Sequence, residues 1–143
     1  MRFRFGPTSR LRLDTCHPDL QRLMDAAMMK QLMDFSILQG HRGEVEQNAA
    51  YASGASKIEW PSSRHNRVPS MAVDIAPYPI RWGNVGDPDR VKAIGAFYKL
   101  AGIVLTVARE LEIVVRWGGD WNMNGDIFDQ DFDDLPHFEL RGR

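Results

Sequence analysis

Four side chains in this chain of 143 residues have the types and setting for metal-assisted hydrolysis: His65, Asp74, Asp134 and His137. Asp74 sits between Val73 and Ile75 in an alternating run, Met71-Ala72-Val73-Asp74-Ile75-Ala76, that reads as a strand. A carboxylate there is expensive to bury unless it is paired or bound to a cation. His65 lies nine positions earlier and His137 opens a terminal strand, so two imidazoles and one carboxylate converge if the strands are sheet neighbours. Two His and one carboxylate leave a zinc ion an open position for a water, whose pKa falls to about 7. The chemistry also needs a carboxylate off the metal to move that water's proton. Asp134, three residues before His137, is close enough in sequence to share the pocket, and Arg42 could polarise a scissile carbonyl or hold the oxyanion.

Taken singly, each residue has a plainer reading. His65 reads as a solvated loop histidine, Asp74 as a turn cap or a partner of Arg116, and Asp134 as one of the solvated acids Asp129, Asp131, Asp133 and Asp134. The stretch Asp126–Asp131 invites a calcium reading but lacks the EF-hand spacing with its Gly and terminal Glu.

The elements that must position these residues follow from periodicity and turn chemistry. Pro18 at a first helical position and apolar residues from Leu20 to Leu32 predict a helix over 18–33. Phe35-Ser36-Ile37-Leu38 predicts a strand that delivers Gln39 and Arg42 to a loop, and 43–53 a short helix. Residues 53–70, rich in Ser, Gly, Pro, Asn and charge, read as a long surface loop. The strand at 71–76 stops at Pro77 and Pro79. Asp87-Pro88 reads as a cap and first-turn proline for a core helix whose apolar positions run from Val91 to Leu111. Strands are predicted over 112–116 and 137–140, separated by a Gly/Asp/Asn-rich loop over 117–134. The expectation is an α+β fold with a small, mostly antiparallel sheet flanked by helices and the site at the sheet.

Composition narrows the function classes. With 43% hydrophobic and 26% charged residues the chain has ordinary globular composition and the length of one domain, here 1–143. A net charge of −1 supplies no global field for nucleic acid or anionic membrane. The single cysteine, Cys16, excludes an internal disulfide and a multi-cysteine metal site. Met1-Arg2-Phe3-Arg4-Phe5-Gly6-Pro7 lacks the apolar region of an export signal, and no segment reads as reaching the ~20 apolar residues of a membrane span. Cytoplasmic synthesis without membrane insertion is expected. Arg64, Arg67, Arg141 and Arg143 read by default as solvated surface.

Several stretches together carry a resemblance: Ser63-Arg64-His65-Asn66, Pro69-Ser70-Met71-Ala72-Val73-Asp74, Trp117-Gly118-Gly119-Asp120-Trp121 and Asp134-Leu135-Pro136-His137-Phe138-Glu139-Leu140. Phe3-Arg4-Phe5-Gly6, His17-Pro18-Asp19-Leu20 and Gln39-Gly40-His41-Arg42 add to it. In this order the chain resembles, over nearly its whole length, the phage endolysin branch of the L-alanyl-D-glutamate peptidase / zinc D-Ala-D-Ala carboxypeptidase family. The resemblance implies a hedgehog or D,D-peptidase-like fold, one zinc ion on His65, Asp74 and His137, and Asp134 as general base. It implies Arg42 as a substrate or transition-state contact, and Gln39, Ser63, Asp120 and Trp121 on the substrate side. Two departures stand out: eight residues rather than six separate the first His from the Asp, and Asp134 replaces the glutamate used as base in the dipeptidase branch. The implied function is a monomeric endolysin that cleaves the L-Ala–D-Glu bond of peptidoglycan stem peptides, held in the host cytoplasm until another protein opens the membrane. The alternatives are a D-Ala-D-Ala carboxypeptidase or dipeptidase using the same site, and a wall-binding zinc protein without catalysis.

Overall fold

A computed structural model describes residues 1–142; Arg143 lies outside the described residues. The chain order is α1 (Pro7–Leu13), α2 (Pro18–Met29), β1 (Phe35–Gln39), α3 (Glu44–Ser53), a 3-10 turn (Arg64–Asn66), β2 (Ala72–Pro77), α4 (Arg90–Glu110), β3 (Val115–Gly118) and β4 (Asp134–Leu140). The four strands form one sheet in the order β1-β2-β4-β3, with every pairing antiparallel. This is the α+β architecture expected from the sequence.

The period-2 alternation of the strands divides the sheet into two chemical faces. Val73 and Ile75 of β2, Phe138 and Leu140 of β4, and Val115 and Trp117 of β3 are buried in the apolar core. The stripe Phe97, Leu100, Ala101, Val104, Val107 and Ala108 of α4 joins them there, with Leu20, Leu23, Met24 and Ala27 of α2. Along the same strands the intervening residues are Asp74, Arg116, His137 and Glu139. The polar set therefore shares the other face, and the loop over 54–70 covers it.

Local chemistry sets the boundaries. His17 caps α2 by accepting the Asp19 backbone N–H through Nδ1 at 3.0 Å, and Pro18 takes the first helical position. The helix stops at Met29, short of the expected 33, where Lys30 caps it and Gln31 turns left-handed at φ 55°. Helix α4 starts at Arg90, after the Asp87-Pro88 turn, with Asp89 as its N-cap. Val91, expected on the core stripe, is 85% exposed, and Ala93 begins the buried face instead.

Two further expectations are corrected. With 21 residues and an 18-residue stretch of mean hydropathy 1.6, α4 is by length and composition alone long and apolar enough to cross a membrane, contrary to the sequence reading. Its apolar stripe packs on the sheet and α2, which is how a core helix meets the same criterion. The strand expected at 112–116 begins only at Val115, because Glu112 turns left-handed at φ 59° and the Ile113 N–H closes the end of α4 on the Ala108 carbonyl.

Candidate active site and metal centre

Strand pairing alone brings two of the predicted ligands together. Asp74 and His137 are direct cross-strand partners of β2 and β4, so their side chains leave the same face side by side. His65 arrives from the 3-10 turn, which Ser63 caps by accepting the His65 N–H at 3.2 Å. His65 is 1% exposed, so the solvated-loop reading is wrong: the 53–70 segment buries Ser63, His65, Asn66 and Ser70 against the polar sheet face.

Three atoms face one another at this point. His65 Nε2 lies 3.2 Å from Asp74 Oδ1 and 3.3 Å from His137 Nδ1, and His137 Nδ1 lies 3.1 Å from Asp74 Oδ1. The opposite ring nitrogens are both occupied. His65 Nδ1 is 2.7 Å from the Gly40 carbonyl, which only accepts, so that nitrogen carries the proton. His137 Nε2 is 2.9 Å from a Glu139 carboxylate oxygen and donates to it. Both imidazoles therefore turn an unprotonated nitrogen inward toward an aspartate oxygen, an arrangement that repels itself unless a cation sits among the three. His65, Asp74 and His137 form a group able to hold a metal ion.

The ionisation states agree with that geometry. Burial alone would raise the Asp74 carboxyl, but the two histidines hold it well below the usual carboxylate range. With protons as the only cations, burial would lower His137, yet Asp74 and Glu139 outweigh it and push the imidazole up to about 9. A metal ion entering the trio takes the place of that proton.

Behind His137 stands a carboxylate that sequence reasoning quoted but did not single out. Glu139 is 4% exposed and meets Arg116 at 3.0 Å, Arg141 at 3.2 Å and Arg64 at 3.3 Å. Burial opposes its ionisation, but His137, Arg116 and Arg64 bring it down to about 2. Arg64 and Arg141 are thus not merely solvated surface, and Arg116 pairs with Glu139 rather than with Asp74. A carboxylate that receives the outer N–H of a ligating histidine fixes its tautomer and raises its basicity.

Asp134 reaches the cleft through an irregularity in β4. Residues three apart on a regular strand point to opposite faces, which would separate Asp134 from His137. The β3–β4 register jumps from Trp117↔Phe138 to Gly118↔Asp134, so the intervening residues of β4 bulge and both side chains line one cavity. Gly118 is required at this crossing because a Cβ would overlap the Asp134 carbonyl. Burial and the Asp74 charge both raise the Asp134 carboxyl above its ordinary value, as suits a base poised to take a proton.

Arg42 is held at the same cavity. Its Nε donates to Gln39 at 2.9 Å, Nη1 to Gln47 at 3.0 Å, and Nη2 lies 3.5 Å from the second oxygen of Asp74. Its backbone N–H donates to the His65 carbonyl at 2.8 Å. Gln47 is fully buried and uses all four hydrogen-bonding positions: Oε1 accepts from Arg42 and Asn66, and Nε2 donates to the Ser56 hydroxyl and the Ile58 carbonyl. Nothing in the periodicity of 43–53 distinguishes it, though a lone glutamine on the buried side of a short polar helix is the trace it leaves.

The expected substrate contacts divide. Trp121 lines the cleft with its ring centroid 5.6 Å from that of His137, and Ser63 lines it while its hydroxyl caps the 3-10 turn. Gln39 is outside the cavity lining and orients Arg42. Asp120 is also outside, and its carboxylate accepts the backbone N–H groups of Asn124 and Gly125. Counted from Asp120 rather than Asp126, this loop does carry the Asp-x-Asn-x-Asn-Gly spacing, with Asp131 in the twelfth position; its side chains cap their own backbone and one another. Trp117 stacks in the core on Phe138.

A small α+β fold that places two histidines and an aspartate on one sheet face, beside a buried carboxylate and a tethered arginine, has the make-up of a metallohydrolase. The family model for phage L-alanyl-D-glutamate peptidases matches residues 1–141, and the chain belongs to that family. It is 33% identical over 134 residues to the L-alanyl-D-glutamate peptidase of Escherichia phage T5, covering 91% of this chain and 90% of that protein. It also resembles the crystal structure of the Serratia marcescens L-Ala D-Glu endopeptidase ChiX, with a TM-score of 0.70 and 28% identity over 96% of this chain and 90% of that one.

Proposed function

We propose that this protein is a zinc peptidase that hydrolyses the L-Ala–D-Glu bond of peptidoglycan stem peptides. The observation that carries the reading is the inward-facing trio of His65 Nε2, Asp74 Oδ1 and His137 Nδ1, with mutual separations of 3.1–3.3 Å. Around a tetrahedral zinc with bonds of about 2.0–2.1 Å, neighbouring ligand atoms stand roughly 3.3–3.4 Å apart, so the trio fits that ion with shifts of a few tenths of an ångström. Three protein ligands also leave a position open for chemistry, unlike a closed structural site.

When bound, zinc would polarise the scissile carbonyl and lower the pKa of a water at its open position. The chain supplies the rest. Asp134, raised by burial and by the Asp74 charge, takes the proton of the attacking water and returns it to the departing amine of D-glutamate. Arg42, fixed by Gln39 and Gln47 before substrate arrives, stabilises the negative charge that develops on the carbonyl oxygen. Glu139 holds the His137 proton on Nε2, which keeps Nδ1 free to ligate. Trp121, beside His137, gives the cleft an apolar wall against which the peptide lies.

The test pairs Asp134→Asn with His137→Ala on purified peptidoglycan. D134N is expected to bind zinc one-to-one and lose at least about 100-fold in rate, the order of effect of a general base. H137A is expected to lose both zinc and activity. Retained wall hydrolysis in either variant would overturn the assignment.

A further inference from the structure

The cleft holds a cation that the catalytic reading leaves unused. Lys57 lines the same cavity as His65, Asp74, Asp134 and His137. The other cations there are engaged with carboxylates: Arg42 with Asp74 and Arg64 with Glu139. Among the described residues, Lys57 has no carboxylate within ion-pair distance, and its Nζ lies 4.7 Å from the Phe132 ring centroid.

The backbone around Lys57 is pinned. Gln47 Nε2 donates to the Ser56 hydroxyl at 3.0 Å and to the Ile58 carbonyl at 2.6 Å, so residues on both sides of Lys57 hang from one fully buried amide. The carbonyl end of that amide accepts from Arg42. One side chain thus fixes the positions of Arg42 and of the loop that bears Lys57. On the far side, Phe132 is itself anchored, since its carbonyl accepts the Trp121 indole N–H at 2.8 Å. An ammonium held over an aromatic face keeps its charge, remains open to a further ligand, and loses less side-chain freedom when one binds.

The substrate of the proposed reaction has one charge beside the scissile bond that needs a partner. In a wall stem peptide D-glutamate continues through its γ-carboxyl, which leaves the α-carboxylate free on the carbon next to the departing nitrogen. The L-alanine side carries no charge. From these placements we infer that Lys57 is a specificity residue, its ammonium taking the free α-carboxylate of the D-glutamate residue. This rests on the L-Ala–D-Glu reading above. It also makes the enzyme sensitive to a chemical change in its substrate, because conversion of the α-carboxylate to a carboxamide removes the charge Lys57 takes.

The experiment compares the zinc-loaded wild type, Lys57→Met and Lys57→Arg on two synthetic N-acetyl-L-Ala-γ-D-Glu-L-Lys peptides, one with the free α-carboxylate and one with the α-carboxamide. Lys57 is exposed, and methionine keeps an apolar stem over Phe132, so an unchanged melting temperature for K57M confirms the fold. The wild type is expected to favour the carboxylate peptide in kcat/KM by about 10- to 100-fold, the range of a hydrogen bond to a charged group. In K57M that preference falls toward one, mainly through a higher KM for the carboxylate peptide, while K57R retains most of it. A wild type that cleaves both peptides equally, or a K57M that keeps the preference, overturns the role of Lys57. A wild type that cleaves neither overturns the L-Ala–D-Glu reading instead, and the inference with it.

Discussion

Gln47→Met removes a side chain that is neither a candidate metal ligand nor the general base, yet stability and turnover should both fall. Methionine approximates the volume of glutamine, so the substitution leaves little cavity and isolates the polar contribution. Four partners are left: the Arg42 guanidinium, the Asn66 amide, the Ser56 hydroxyl and the Ile58 carbonyl. Ser56 and Ile58 lie toward the surface and reach water with small movements, whereas Asn66 is 8% exposed and is left facing a thioether. At about 0.5–1.5 kcal/mol for each of the four net hydrogen bonds, less roughly 1 kcal/mol for the better burial of methionine, the loss is about 1–5 kcal/mol. For a chain of this size that is a fall of about 3–15 °C in Tm, at roughly 3 °C per kcal/mol. Urea unfolding should show a lower midpoint at an unchanged slope. Freed from Gln47, Arg42 loses one of its fixed contacts beside Asp74, and kcat should drop about 10- to 100-fold at temperatures where the variant is fully folded. A Q47M protein within about 0.5 kcal/mol of wild type and with full kcat would refute the claim that this buried amide organises the cleft.

Glu139→Gln should weaken zinc binding by about 10- to 100-fold in competition titrations, because a neutral amide holds the His137 tautomer less firmly and leaves Arg64, Arg116 and Arg141 facing one another. The pH dependence has a defined sign. The Glu139 carboxyl is lowered on folding from 4.5 to about 2, so its stabilisation is complete above pH 4.5 and is lost as the pH falls toward 2. The difference in unfolding free energy between wild type and E139Q should therefore be roughly 3 kcal/mol at neutral pH and shrink across that acid window; a difference that stays constant would contradict it. Gly40→Ala should also destabilise the fold and weaken metal binding. A Cβ there meets Thr15 Oγ1, the Arg12 carbonyl and Cys16 Sγ, and relieving the overlap moves the carbonyl that fixes His65. A G40A protein with wild-type melting temperature and zinc affinity would show that the Gly40 carbonyl does not set the His65 geometry.

The parts of the site that were legible in the sequence are those with a local conflict or a local pattern. Asp74 declared itself because a charge between Val73 and Ile75 conflicts with the strand around it, and the cross-strand pairing with His137 resolves that conflict. The alternations at 71–76 and 137–140 and the Pro18 start of α2 follow from side-chain period and proline chemistry; the first begins one residue before β2, and the second is the last part of a β4 that already begins at Asp134, inside the expected loop. What was illegible depends on partners remote in the chain. The burial of His65 follows from the loop closing over the sheet, which its polar composition disguises. Glu139 becomes a hub only when arginines from positions 64, 116 and 141 meet it. The bulge that turns Asp134 toward His137 lies in the register of β3 against β4 and has no counterpart in strand periodicity. Helix α1, absent from the sequence reading, is only seven residues long and buries little beyond Ser9 and Leu13, too short a stretch for a helical period to show.

The central claim is that the His65–Asp74–His137 centre cuts one bond of the wall peptide. The most direct test is mass spectrometry of purified peptidoglycan digested by the zinc-loaded protein, beside a sample treated with EDTA and a third restored with zinc. Stem peptides with a new N-terminal D-glutamate are expected in the first and third samples and none in the second. Free D-alanine as the sole product, or N-terminal D-glutamate that persists in the chelated sample, would contradict it.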